Sequence, residues 1–117
     1  YLDDTFTLTA TGFTAAVTGT ATYSRQGPLV TVFLPTLAGT SNATTFTLTG
    51  LPAGITPAHT ALAPAYCTDN GIKLIATLFT TAASTVLTLS NGIGTGLPWT
   101  AAGAQAITAL SLSYLLF

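Results

Sequence analysis

Thr45-Phe46-Thr47-Leu48-Thr49 alternates hydroxyl-bearing and apolar side chains without a break, and Thr5-Phe6-Thr7-Leu8-Thr9 carries the same pattern near the start of the chain. A period of two puts every second side chain on one side of an extended backbone, so each run predicts a strand with one buried and one wet face. Phe6, Leu8, Phe46 and Leu48 are therefore expected to share one core. Gly50 ends the second run. Leu51-Pro52 and Thr56-Pro57 then exclude helix, because the residue before a proline is driven into extended conformations.

The remaining segments read as further strands. Residues 17–25 form a second strand with Val17, Gly19, Ala21 and Tyr23 inward. Arg25-Gln26-Gly27-Pro28 is a hairpin connection in which glycine supplies the left-handed position. Residues 29–34 are apolar on both faces and belong in the middle of a sheet, and 35–42 read as a loop. Residues 59–68 form a strand in which Pro64 marks a sheet edge or a bulge. Asp69-Asn70-Gly71 is the clearest turn, since Asn-Gly suits the type I′ geometry of a two-residue hairpin. Strands follow at 72–80 and 85–90, then a long loop at 91–105, and an eighth strand at 106–117. Eight short strands with frequent turn signals predict an all-β fold, an antiparallel β-sandwich of jelly-roll-like topology. Residues 1–4 read as a linker remnant and 5–117 as a single domain. The absence of methionine and the apolar ending after Ser113 lead to the expectation that this domain closes a longer chain.

Charge limits the partners. Only 4 % of the residues are charged, giving a formal net charge of −1, whereas threonine occurs 26 times. That balance lacks the basic footprint of a nucleic-acid or anionic-lipid binder. The apolar runs fall far short of the roughly 20 residues of a spanning helix. The prolines in the connections and the scarcity of aromatic residues argue against a membrane barrel, so no membrane insertion is expected. A surface of hydroxyls and methyls has little charge to desolvate in subunit contacts. Together with 29–34 and 106–117, apolar on both faces, it predicts a homotrimer.

The chain offers little for catalysis or metal binding, and neither an enzyme nor a cofactor is expected. His59, the lone histidine, and Cys67 stand eight positions apart, too far along one strand to touch. Cys67 reads as a small buried apolar residue, and a single cysteine permits no intrachain disulfide. Asp3 and Asp4 are terminal, and Asp69 occupies a turn position that favours aspartate for its own reasons. One carboxylate beside Asn70 is too little charge for a tight calcium site. For binding, Trp99 stands out in the glycine-rich loop. Exposed, it would stack on a sugar face; buried, it plugs the end of the sandwich, which is the favoured state of the residue taken alone. The candidate ligand-binding residues are thus Trp99 for stacking, with Asp69 and Asn70 as hydroxyl partners. If they lie at opposite ends of the sandwich, they are alternatives and not one site.

The segment 39–57, GTSNATTFTLTGLPAGITP, resembles a module at the C-terminal ends of bacteriophage tail fibre and tail spike proteins. The similarity continues through Thr68-Asp69-Asn70-Gly71 and, upstream, through the alternation at 18–24 into Arg25-Gln26-Gly27 and 29–34. It covers about residues 5 to 80. The resemblance implies a trimeric β-sandwich at the distal tip of a virion tail appendage, outside the cell. Such a domain binds a host-surface polysaccharide or protein receptor, or serves as a purely structural trimerisation, capsid or decoration module. The matching positions are turns and alternating threonines, so no catalytic residue carries over.

Overall fold

The structure, a computed structural model, describes residues 2–93 and 97–117. Position 1 of the expected linker and positions 94–96 of the expected long loop lie outside the described residues. The expected all-β antiparallel fold is observed, with ten strands among the described residues in place of eight. They are β1 (Leu2–Thr11), β2 (Val17–Gln26), β3 (Leu29–Leu34), β4 (Leu37–Thr40), β5 (Phe46–Thr49), β6 (Leu62–Asp69), β7 (Ile72–Thr80), β8 (Val86–Ser90), β9 (Ala104–Ile107) and β10 (Leu110–Leu115). A 3-10 turn, Ala53–Ile55, interrupts the proline-marked link after β5. All ten strands form one sheet in the order β10-β3-β2-β1-β5-β8-β7-β6-β9-β4, with every pairing antiparallel.

The two repeated runs are neighbours in this sheet. β1 pairs with β5 through Thr9↔Thr49, Ala10↔Leu48 and Thr11↔Thr47, and the Thr11 and Thr47 hydroxyls hydrogen-bond to each other. Leu8, Phe46 and Leu48 are fully buried, and Phe6 packs against them from the edge of the core. Close approach of the two strands needs a glycine at each end. Gly50 has φ +113° and a Cβ there would lie 2.4 Å from the Thr7 carbonyl oxygen; at Gly12 (φ +95°) it would lie 2.3 Å from that of Thr45. Glycine alone meets both demands.

Strand ends shift by one to three residues in several places, β6 beginning at Leu62 where 59 was expected, and three differences from the sequence expectation alter the architecture, each for a physical reason. Strand β1 begins at Leu2, so Asp3 and Asp4 are not linker: they pair with Ser24 and Tyr23 of β2. Strand β4 lies in the expected 35–42 loop. Its Gly39 weakens the strand signal, but a Cβ there would come within 2.9 Å of Phe13 and Val17, so the glycine lets those side chains pack. The expected eighth strand divides at Thr108 and Ala109, whose N–H groups turn aside to the Tyr66 carbonyl (2.9 Å) and the Thr36 hydroxyl (3.1 Å).

That division shapes the molecule. β9 and β10 are two residues apart in the chain but lie near opposite ends of the strand order. The sheet must therefore curl until β10 approaches β6 and β4 approaches β2. A bridge between Phe13 and Ser41 helps hold the roll shut. The inward sets, including Leu8, Ala21, Val30, Val32, Leu78, Leu87 and Ile107, fill the space so enclosed. Pro64 sits where β6 has only β7 beside it, since β9 pairs with Cys67, Thr68 and Asp69 alone. The Asn70 and Gly71 turn has φ +50° and +79°, as type I′ requires.

Candidate functional site

Asp69 and Trp99 lie at the same end of the roll. Asp69 closes the β6–β7 hairpin and is only 8 % exposed. Its Oδ1 accepts the Thr100 backbone N–H, and its Oδ2 accepts the Thr100 hydroxyl and the Asn91 side-chain amide, all at 2.9 Å. The carboxylate thus ties both ends of the loop that carries Trp99. Acceptors engaged in this way hold the loop, and a ligand hydroxyl would have to compete for them.

Trp99 is 2 % exposed. Its indole N–H donates to the Leu89 carbonyl at 2.9 Å, and its backbone N–H to the Thr44 carbonyl at 2.8 Å. The indole meets Phe46 edge to face with ring centroids 5.1 Å apart, and Phe46 meets Phe13 in the same manner at 5.4 Å. An aromatic side chain so enclosed stabilises the end of the core and presents no free face for stacking. The plug reading of Trp99 describes the geometry.

Asn70 is exposed, at the tip of the turn beside Gly103. A Cβ on Gly103 (φ +80°) would fall 2.0 Å from the Asn70 side-chain oxygen, so the turn and the loop are in contact. Gly71 N–H donates to the Ala104 carbonyl at 3.1 Å, and Ser41 donates its hydroxyl to the Thr100 carbonyl at 2.6 Å. The turn, the loop's end at 100–104 and the end of β4 are thus hydrogen-bonded into one cluster. Beside it a groove of about 260 Å³ is lined by Thr44, Thr45, Thr47, Thr88, Phe79 and the loop residues Leu97, Pro98 and Trp99.

Two larger grooves lie elsewhere. One of about 430 Å³ is apolar, between Leu62, Pro64, Ile75, Thr77 and Ile93 on β6, β7 and the loop after β8. The other, about 640 Å³, is lined by Asp3, Asp4, Thr5, Thr22, Tyr23, Ser24 and Phe33. Sequence reading gave no weight to Phe33. Its signal was present: it stands out of phase with Val30, Val32 and Leu34, and the structure buries those three while leaving Phe33 48 % exposed.

The possible reactive groups stay apart. Cys67 is buried inward on β6, and burial pushes its thiol up to about 12. His59 lies before that strand and is exposed, with its carbonyl accepting the Thr80 hydroxyl at 2.9 Å. Among the described residues no group of three or more His, Cys, Asp or Glu could hold a metal ion. No helix among them is long and apolar enough to cross a membrane.

No family model matches the chain, and no curated protein sequence matches it. A solved structure does. The reovirus attachment protein sigma1, crystallised in complex with alpha-2,3-sialyllactose, superposes on 97 % of this chain with a TM-score of 0.51. The fold is shared with a viral attachment protein. Sequence identity is 14 %, and this chain spans 66 % of the length of that sigma1 chain. At such identity the likeness concerns the path of the backbone, not the residues of a binding site.

Proposed function

We propose that this chain is a viral receptor-binding domain, the distal domain of a phage tail fibre or tail spike, which attaches the virion to a host-surface glycan or other receptor. The observation that carries the reading is the likeness of nearly the whole chain to a viral attachment protein. The resemblance of residues 39–57 to phage fibre tips points the same way. The chemistry of the surface agrees with attachment. The outward faces of β1 and β2 present Thr5, Thr7, Thr18, Thr20 and Thr22, all exposed and nearly free of charge. Hydroxyl arrays of this kind exchange hydrogen bonds with other hydroxyls, the groups that a polysaccharide displays. The domain works by binding, and no reaction is assigned to it. Near the loop end, exposed Asn70 and the threonine-lined groove beside Trp99 are the contacts nearest the predicted site, with Asp69 and Trp99 holding them in place. Binding of the fluorescently labelled chain to cells of a susceptible bacterial host, and competition by whole virions, tests the reading. A chain that adheres to no host cell while properly folded overturns it.

Trimerisation is the second part of the proposal, and a specific observation favours it. The outward face of β6 and β7 leaves Leu62 63 % and Ile75 49 % exposed, with Ile93 of the loop after β8 88 % exposed. In a chain with so few charges this apolar strip is suited to association with copies of itself. A purely structural trimerisation module would need this strip and no receptor.

A further inference from the structure

We propose that the groove across β1, β2 and β3 is a saccharide site that takes neutral or amino-bearing sugars and rejects anionic ones. The proposal rests on the reading of the domain as a glycan-binding module and names its site and ligand class. The strand register builds the site. Asp3 stands opposite Ser24, and Thr5 opposite Thr22; Thr22 in turn stands opposite Phe33. Residues directly opposite in an antiparallel pair share a face, so Asp3, Thr5, Thr22, Ser24 and Phe33 project together from the outer surface. Three strands at about 4.8 Å spacing place Asp3 and Phe33 at opposite sides of the grid. The groove between them, about 640 Å³, falls within the ~300–1,000 Å³ typical of ligand pockets.

The groups fit the two sides of a pyranose ring. A sugar has an apolar face of C–H groups and a rim of hydroxyls. Phe33 supplies an exposed ring amid threonines and serines, apolar area that a C–H face can cover. Asp3 supplies a carboxylate, which only accepts hydrogen bonds and so selects hydroxyl or ammonium donors. Thr5, Thr22 and Ser24 can donate or accept along the rest of the rim.

Charge sets the selectivity. The whole chain has five charged residues, and two of them, Asp3 and Asp4, line this groove. Asp3 projects with the outer face, whereas Asp4 folds back on its own backbone at the groove's margin, its Oδ1 accepting the Thr5 N–H at 2.8 Å. They are therefore not a chelating pair for one metal ion. Both nonetheless repel an anion in the groove, so a sialylated sugar is disfavoured there and an ammonium-bearing one favoured.

Calorimetric titration of the chain with three probes tests this: tri-N-acetylchitotriose (neutral), chitotriose (cationic) and alpha-2,3-sialyllactose (anionic). Binding of the first two at least tenfold tighter than the third is expected. Phe33→Ser should weaken both by tenfold or more. Asp3→Asn should weaken chitotriose most and narrow the discrimination against sialyllactose. Both positions are exposed, and a thermal melt matching the wild type confirms that each variant is folded. Sialyllactose bound tightest, or probes bound equally by wild type and Phe33→Ser, overturns the site while the glycan reading stands. No binding of any probe, together with no adhesion to host cells, overturns both.

Discussion

Asp69 and Thr100, thirty-one positions apart, are joined twice, through the Thr100 backbone N–H to Oδ1 and the Thr100 hydroxyl to Oδ2, both at 2.9 Å. With Asn91 on the same carboxylate, this pair decides where the loop that carries Trp99 rests. Hydrogen bonds to a charged group contribute about 1.5–3 kcal/mol each in mutational series. Asp69→Ala should therefore destabilise the domain by about 3 kcal/mol in urea unfolding. Asp69→Asn retains some of the acceptors and should cost less. A loss below about 1 kcal/mol for Asp69→Ala would mean that Trp99 and the Ser41 and Ser90 hydroxyls hold the loop without the carboxylate.

Phe46 is buried between Phe13 and Trp99 and touches both edge to face. Truncation of a buried phenylalanine costs about 3–5 kcal/mol, and Phe46→Ala should fall at the upper end because two aromatic contacts go with it. Trp99→Ala should do comparable damage, with any loss of binding following loss of fold. Equilibrium denaturation read by Trp99 fluorescence for the first variant, and by circular dichroism for the second, gives the values. A Phe46→Ala loss below about 1 kcal/mol would show that its side chain does not face the core.

Strand positions are legible in this chain because burial of one face imposes period two, and because Asn70-Gly71 and Gly27 tolerate the positive φ that tight turns demand and most other residues avoid. The closure of the sheet is not legible in the same way. It depends on Thr108 and Ala109 handing their N–H groups to Tyr66 and Thr36, contacts between segments far apart in sequence. The candidate site shows the same division. Asp69, Asn70 and Trp99 are conspicuous residue types in turn and loop contexts, but nothing local says that one carboxylate reaches Thr100 or that the indole is enclosed. Strand β4 escaped notice because Gly39 looks like a loop residue until Phe13 and Val17 are seen against it.

The apolar strip on β6 and β7 gives the trimer proposal a direct test. Tyr66 and Ile75 stand opposite each other on that face, and both are about half exposed. A carboxylate at the centre of such a contact must be stripped of water when copies associate, a cost that an apolar side chain does not carry. Ile75→Asp should leave the monomer fold intact and shift the mass in light scattering coupled to size exclusion from trimer to monomer. Wild-type chain that elutes as a monomer at micromolar concentration removes the trimer altogether.

Gln105 is fully buried on β9, and neither atom of its amide has a partner among the described residues. A buried polar group without a partner carries a desolvation cost of about 1–3 kcal/mol. Gln105→Met keeps the length and removes the polar atoms, so it should raise stability by about 1 kcal/mol. A comparable loss would instead reveal a buried water bridging the amide.

Alkaline pH should weaken the fold through Cys67. Burial pushes its thiol from an ordinary value near 9 up to about 12, because the thiolate is poorly solvated inside the sheet. Below pH 9 the thiol is protonated in both folded and unfolded chains, and pH has no effect through it. Between pH 9 and 12 the unfolded chain releases the proton while the folded chain keeps it. The unfolded state then binds fewer protons, so stability falls as pH rises. Tyr114 shifts upward for the same reason, burial first and the nearby Tyr23 second, and adds to the decline at the upper end of the range. Unfolding midpoints measured from pH 8 to pH 11 should decline for the wild type and decline less steeply for Cys67→Ala. Parallel curves for the two proteins would show that the thiol is not the titrating group.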